Sequence, residues 1–501
     1  MMRIASLQTG SALAAAALLS ACAVGPDYRP PSSASLKVPS RFVADRGVPV
    51  EKDLAHWWTG FNDPVLTNLI ERALAANLDI DAAGARLRQA RASLRSAQGG
   101  ALPTLDASGS ISRSIGQGGR SVIDPTTGQT ISTGGDTTVY RAGFDAAYEV
   151  DVFGGVRRSI EAARADYGSS EANLHATQLS VVSEVALNYL DARLASGRLV
   201  IAKQNLAAQD ETLQIVRWRV QAGLASALDL EQSRQLRAQT ASTIPTLETN
   251  YASAVNRIAV LLGEAPGAVT AEIGTGTTIP LPSQAIIGAG LPADLLQRRP
   301  DVAAAERTLA AETARIGVAT ADLYPALRLT GSFSGSDTSF GDLLSSAVGN
   351  IAGAITAPIF EGGQIRARIA GQRATADAAL AAYRSAVLTA IEDVENALTS
   401  LDAANRRERE AITSAEAAQN ATTYARAQYQ AGLIDFQSLL DSERTLLSSQ
   451  DSRASARADR ATAAVQLYKA LGGGWEAAPM PASATGSSVG AYSHTSSASR
   501  P

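Results

Sequence analysis

Two short words of sequence occur twice. Gln221-Ala222-Gly223-Leu224 returns as Gln430-Ala431-Gly432-Leu433 at an offset of 209 residues, and Leu262-Gly263 returns as Leu471-Gly472 at the same offset. Upstream, Leu102-Pro103-Thr104-Leu105 resembles Tyr324-Pro325-Ala326-Leu327 at an offset of 222, and Phe153-Gly154-Gly155 resembles Phe360-Glu361-Gly362-Gly363 at 207. A constant offset in one part and a drifting one in another mean a rigid unit joined to loops that accept insertions. The chain therefore reads as a tandem duplication, with units at about 64–263 and 300–472 joined by a linker at 264–299.

Each unit reads as a helix, two strands and a long helical hairpin. In the first unit, Leu105, Ala107, Gly109 and Ile111 alternate with Asp106, Ser108, Ser110 and Ser112, and the even positions from Tyr140 to Val152 are apolar between Arg141, Asp145, Glu149 and Asp151. In the second, Leu327, Leu329, Gly331 and Phe333 alternate with Arg328, Thr330, Ser332 and Ser334. Alternation with period two predicts strands with one greasy face at about 102–113, 138–153 and 324–335, and more weakly at 347–360. The Gly/Ser/Thr-rich stretches 113–136 and 334–341 read as their hairpin loops.

Beyond the strands the period changes. No proline lies between Pro125 and Pro245 or between Pro358 and Pro479. Helices can therefore run over 156–221 and 364–430, about 100 Å each at 1.5 Å per residue. The repeated Ala-Gly-Leu words turn the chain, and return helices follow at 227–262 and 435–471. Pro245 should kink or interrupt the first of these.

Composition excludes several functions. Hydrophobic residues make up 45% but aromatics only 5%, which suits long helices packed through small side chains. The 44 basic and 48 acidic residues show no concentrated basic block, so no nucleic-acid partner is expected. One Cys and three His leave too few soft ligands for a zinc site, and no metal or other cofactor is expected. No phosphate-cradling loop and no nucleophile–base pair is apparent, so the chain does not read as an enzyme.

The N-terminus carries an address. Residues 1–21 end an apolar run in Leu19-Ser20-Ala21 before Cys22, too short for a membrane span and shaped as an export signal. Leu-Ser-Ala-Cys resembles a bacterial lipobox, which would place a diacylglycerol and an N-linked acyl chain on Cys22. Ala23 at the next position, where an Asp would act as a retention signal, resembles a lipoprotein released to the outer membrane. Residues 22–63 then form a lipidated arm, and 473–501 read as a disordered Gly/Ser/Ala-rich tail.

Four strands of nine or more residues are long enough to cross a bilayer but cannot close a barrel, which takes about eight. If they lie in lipid, the chain must be an oligomer. A soluble coiled-coil adhesin or scaffold is the other reading that patterning leaves open.

Further residues carry a resemblance. Val24-Gly25-Pro26-Asp27-Tyr28 follows the lipobox; Trp57-Trp58, Phe61, Asp63-Pro64, Leu66, Leu69-Ile70, Ala73-Leu74 and Asn77 come next. The run from Leu291-Pro292 through Leu295-Leu296, Arg298-Arg299-Pro300-Asp301, Ala305-Glu306, Ile316-Gly317 and Ala319 to Tyr324-Pro325 is the most specific. In these residues the chain resembles the TolC-like outer membrane factors, and within them the NodT-like lipoprotein branch of efflux subunits. The resemblance implies a mixed α and β membrane protein: a homotrimeric channel whose 12-stranded β-barrel, four strands per protomer, continues into a periplasmic α-helical barrel. It implies a passive exit duct for small molecules, opened by a periplasmic adaptor (a membrane fusion protein) and driven by an inner-membrane pump of the RND or MFS type. A type I protein-secretion duct would share the fold.

The same resemblance nominates site residues. Gly223, Leu224, Gly432 and Leu433 are the helical tips where the adaptor would dock. Asp441, nine residues after Gly432, and Asp229, six after Gly223, match the periplasmic gate, where three copies of a carboxylate would favour cations. Either Asp would otherwise be a solvated or helix-start charge. Ile434 stands where some relatives have a basic residue, and Glu443 reads as an outward-facing carboxylate. Trp57 and Trp58 read as packing anchors.

Overall fold

The computed structural model describes residues 23–44, 54–115, 120–123, 130–133, 136–282, 292–294 and 298–476. Cys22 lies outside these residues, as do the signal segment and most of the expected tail. The tail, however, begins later than 473. Gly473 N–H bonds Tyr468 O at 3.0 Å, and the Trp475 ring stacks on His175 with centroids 4.3 Å apart.

Asp63 caps α1 (Pro64–Ala76), its carboxylate accepting the N–H groups of Val65 and Leu66, and Pro64 supplies a helical φ at the first position. Asn77 then ends α1 and caps α2 (Leu78–Gly99). The first unit thus holds two helices before its strands where one was expected. The break is built at Asn77, whose extended backbone redirects the chain while its Nδ2 donates to Leu261 O at 2.8 Å.

The strands are β1 (Thr104–Ser114), β4 (Thr137–Val150), β5 (Ala326–Asp337) and β6 (Val348–Thr356), in the order β1-β4-β5-β6 and all antiparallel. The expected loop at 113–136 contains its own two-stranded ribbon, β2 (Arg120–Ile123) with β3 (Thr130–Thr133). The loop expected at 334–341 begins only after Asp337, and β6 stops at Thr356, two residues before Pro358, whose missing N–H cannot join a ladder.

The long helices are α3 (Gly155–Gln221) and α6 (Gln364–Gln430), each of 67 residues. Their return partners are α4 (Ala227–Leu261) and α7 (Phe436–Ala470), each of 35. Pro245 does not interrupt α4. It sits on the exposed face, where water can bond the carbonyl that loses its partner, and the Ser242 and Thr243 hydroxyls fold back on nearby carbonyls at 2.7 and 2.8 Å. Between the long helices lies α5 (Pro300–Ala321), which packs on both α3 and α6. With α2 packed on the other flank of α3, the helices next to the sheet repeat its order: α2-α3-α5-α6 below β1-β4-β5-β6.

The main core lies around the middle of the long helices. Trp57, Trp58 and Phe61 are buried there, Trp57 stacked on Tyr468 at 5.1 Å between centroids, together with Tyr189, Val185, Leu190, Val465 and Leu471. A second, smaller cluster of Val216, Leu236, Tyr429, Phe436, Leu439 and Leu440 lies near the turns at Gly223 and Gly432.

Candidate functional site

The register settles what the strand pattern only suggests. Asp106 stands opposite Asp145, which stands opposite Ser332, which stands opposite Asn350. The neighbouring row runs Leu105, Ala146, Gly331, Ile351. One face of the sheet is therefore mainly polar and the other mainly apolar across β1, β4 and β5, while β6 carries the division weakly, Asn350 and Thr356 standing among Val348, Ala352 and Ala354 on the polar side. On the apolar face Phe144, Phe333, Ile351 and Ile355 remain exposed, and the outer edges of β1 and β6 have no partner strand among the described residues.

The far ends of the helical hairpins share one construction. Gly223 and Gly432 both take φ of +74°, which a side chain would resist. The N–H of Leu224 reaches Arg219 O at 2.7 Å and that of Leu433 reaches Gln428 O at 2.8 Å, with the glycine N–H groups bonding Val220 O and Tyr429 O. Each tip is thus closed by the same Schellman turn, and it leaves Leu224 and Leu433 70% and 74% exposed.

After the tips, the two repeats exchange roles. Ser226 caps α4, and Asp229 completes a capping box: Ser226 Oγ accepts the Asp229 N–H at 3.1 Å and Asp229 Oδ2 accepts the Ser226 N–H at 3.0 Å. At the equivalent positions Asp435 is the cap and Ser438 the third residue, the Ser438 N–H reaching Asp435 Oδ1 at 2.9 Å. Hydrogen bonding from the Ser438 hydroxyl, and then from its N–H, holds the Asp435 carboxyl below the usual carboxylate range. Asp441 stands one and a half turns into α7, exposed, with Gln437 Nε2 donating to it at 2.9 Å and Arg444 at 3.8 Å. Asp229 and Asp441 are therefore different kinds of carboxylate, one a helix cap and one projecting from a helix side.

Glu443 does not face outward. It is 3% exposed, and its Oε1 accepts from Thr212 Oγ1 at 2.8 Å and from Arg426 Nη2 at 3.0 Å. It belongs to a seam that the sequence reading missed. Arg198, Asn205, Thr212 and Arg219 follow one another at intervals of seven along α3 and each reaches the second hairpin. Arg198 pairs with Asp451, Asn205 Nδ2 donates to Gln450 Oε1 at 2.7 Å, Thr212 meets Glu443, and Arg219 donates to Tyr429 O at 2.8 Å. The Arg219 guanidinium also lies over the Tyr429 ring, 4.6 Å from its centroid. The heptad of polar residues was the available signal.

The motif residues near the N-terminus form a clamp. Val24 N–H bonds Phe153 O at 3.0 Å, and Asp27 takes the Arg158 guanidinium at 2.6 Å. Tyr28 donates to Glu306 at 2.6 Å, and burial beside that carboxylate pushes its phenol pKa up. Gly25 lies so close to Gly317 that a Cβ on Gly25 would stand 2.5 Å from its Cα. Arg299 ties the second motif together by binding Asp301, Asp393 and Ala470 O. Among the described residues no helix is long and apolar enough to cross a membrane, and no group of side chains could hold a metal ion.

A two-faced sheet set above paired 67-residue helices is the architecture of an outer membrane duct. The chain belongs to the outer membrane efflux protein family, whose model matches residues 69–264 and 291–473. It is 34% identical to nodulation protein T of Rhizobium leguminosarum bv. trifolii over 91% of this chain and 96% of that protein. It is 35% identical to the pyoverdine export outer membrane protein OpmQ of Pseudomonas aeruginosa, over 94% and 98%. Among solved structures, the outer-membrane channel OprN superposes with a TM-score of 0.82 at 34% identity, covering 91% of this chain and all of that one. The open state of the Neisseria gonorrhoeae MtrE channel superposes at 0.78 with 30% identity, over 91% and 99%. The fold is TolC-like, and the protein is a channel of the outer membrane, not an enzyme. Its work is efflux, as the outer membrane part of a tripartite pump.

Proposed function

We infer that three copies of this chain form the duct, each giving four strands to a twelve-stranded barrel whose apolar face meets lipid and whose polar face lines the lumen. The sheet carries this reading. Unpaired edges on β1 and β6 would leave backbone groups unsatisfied in hydrocarbon at several kcal/mol each, and a threefold axis lets β1 of one protomer pair with β6 of the next. Lipid on Cys22 fits the clamp. Ala23 packs against Gly154, where β4 gives way to α3, so acyl chains on the preceding residue would begin at the membrane boundary.

The exposed Leu224 and Leu433 tips offer apolar contacts to a periplasmic adaptor, and an inner-membrane pump of the RND or MFS type supplies the energy. Asp441, which projects from the side of α7 and does not cap it, is the better gate candidate, with Asp229 holding the neighbouring tip in shape. Relatives named for export of pyoverdine, toluene and antibiotics support small organic molecules as cargo.

One experiment tests assembly and anchor together. The detergent-extracted protein should run as a trimer of about 155 kDa, three times the 51.8 kDa of the full chain, or slightly less once the signal segment is removed. Cys22→Ser should still run as a trimer, with its signal segment processed more slowly, and lose all label from a fatty-acid probe. A folded monomer would defeat the barrel, and label on the variant would defeat the lipobox.

A further inference from the structure

The helices at the two free edges of the protomer, α2 and α6, carry an excess of positive charge that the protomer does not neutralise. Along α2, Arg86, Arg88, Arg91 and Arg95 are exposed with no acidic residue after Asp81. Along the first six turns of α6, Arg366, Arg368, Arg373 and Arg384 are exposed against a single acid, Asp377. Only Arg368 has an ion-pair partner among the described residues, Asp322 at 2.7 Å. The central helices differ sharply: there Arg158 pairs with Asp27 and Glu161, and Arg315 with Asp166 and Glu312.

The helix order α2-α3-α5-α6 makes these the edges that meet when protomers assemble, so the inference rests on the trimeric reading above. Joining them brings eight arginines to each seam against three exposed acids, Asp79, Asp81 and Asp377, and the two on α2 stand about 27 Å or more from the sheet end of that helix, away from the upper arginines. The arginines also share a height. Arg88, Arg91 and Arg95 lie within about 17 Å of the end of α2, and Arg366 and Arg373 within about 14 Å of the start of α6, at 1.5 Å per residue. Those helix ends adjoin β1 and β6, and Ala23, beside the acylation site, lies at the equivalent end of α3. Spacing of three and four residues stacks Arg88, Arg91 and Arg95 along one flank of α2.

We propose that these seams are binding sites for anionic phospholipid headgroups of the periplasmic leaflet. Three arginine clusters just below the barrel add an electrostatic contact with the headgroup layer to the hold of the barrel and of the lipid on Cys22, since basic residues at an anionic surface add about fivefold in affinity each. The charge would also fix the depth of the barrel, because moving it up or down would take the guanidinium groups out of the headgroup layer.

The test uses the full chain in nanodiscs of phosphatidylethanolamine containing a minor fraction of fluorescent phosphatidylglycerol. The wild type should enrich the anionic lipid around itself, and the enrichment should fall as salt rises. Replacing Arg88, Arg91, Arg95, Arg366 and Arg373 by Gln, a good helix former, should cut the apparent affinity about tenfold or more while the trimer mass stays. The pair Arg409→Gln and Arg453→Gln, exposed and far down the hairpins, should change nothing. If the trimer forms but phosphatidylglycerol is not enriched, or the five substitutions leave it enriched, the proposal fails and assembly stands. If they alter anion conduction through the pore and not lipid preference, the guanidinium groups face the lumen and the proposal is likewise wrong. A monomer would remove the seam itself and sink both readings.

Discussion

The seam between the two helical hairpins is built in two ways along its length. Toward the middle of the long helices it is apolar and aromatic: Val182, Val185, Tyr189 and Leu190 of α3 share a core with Val465, Tyr468 and Leu471, and the Trp57 ring closes it. Toward the tips the apolar contact shrinks to the small cluster of Val216, Leu236, Tyr429, Phe436, Leu439 and Leu440, polar rungs seven residues apart run beside it, and a groove of 860 Å³ opens between Arg198, Leu236, Thr240, Arg444 and Asp451. Apolar packing of large side chains is lost as a whole when a seam parts. Hydrogen-bonded rungs can be exchanged for water one at a time, at about 1 kcal/mol net each. The comparison therefore assigns the larger, tighter apolar collar to the upper part and a smaller seam, partly held by exchangeable hydrogen bonds, to the lower part.

The largest effect is expected where the collar is cut. Tyr468→Ala removes a fully buried ring stacked on Trp57, for about 3–5 kcal/mol. The measurement is trimer yield and thermal stability in detergent. A variant as stable as the wild type would mean that the two halves of the seam do not differ.

Glu443→Ala cuts the ladder where it is most buried. Arg426 loses its acceptor but is about one-third exposed and can rehydrate, and Thr212 keeps Ala208 O at 3.2 Å, so the cost should be nearer 2 kcal/mol than the value for a fully buried pair. Hydrogen exchange should quicken around residues 205–225 and 436–450 while the collar stays protected. Uniform loosening of both regions would erase the distinction between them.

The sequence made some of this legible and hid the rest for a physical reason. The ends of α3, α4, α6 and α7 could be read to within a residue or so, because glycine and proline act on their own neighbours. The partners of side chains could not be read. Tyr28 and Glu306 are 278 positions apart, and Thr212 and Glu443 are 231 apart. A carboxylate in a helix looks solvated until the opposing helix is known, which is why Glu443 reads as outward-facing in the sequence and is buried in the structure. The strand faces lay between these cases. Alternation gave each strand its two faces, but only the register aligned them across four strands.

A smaller effect is expected at the tips, where the repeats trade Ser and Asp between cap and third position. Asp229→Ala should cost about 1 kcal/mol, confined to the first turn of α4. Because Asp435 has a depressed pKa, its contribution to α7 is present above the ordinary carboxylate range and is lost as pH falls through its lowered value. Acid should therefore fray the second tip only below about pH 4, the unperturbed carboxyl range. Exchange at Leu433–Leu439 followed from pH 6 to pH 3 would show this, and fraying already at pH 6 would contradict the capping assignment.

The smallest effect on stability is expected at Asp441, and it bears most directly on function. Its contacts are an exposed hydrogen bond from Gln437 and a 3.8 Å approach of Arg444, together worth less than about 0.5 kcal/mol. Asp441→Ala should leave melting and trimer mass unchanged. If three such carboxylates meet at the narrow end of the lower seam, the closed pore should prefer cations, and a multivalent cation should block it by bridging them. The substitution should weaken the block and reduce the preference, whereas Asp229→Ala, which removes a cap, should alter how often the pore opens and leave selectivity alone. Planar-bilayer recordings of the two variants beside the wild type separate charge at the gate from shape at the tip. Equal selectivity in all three would reduce Asp441 to a solvated helix charge and return the control of opening to the polar rungs above it.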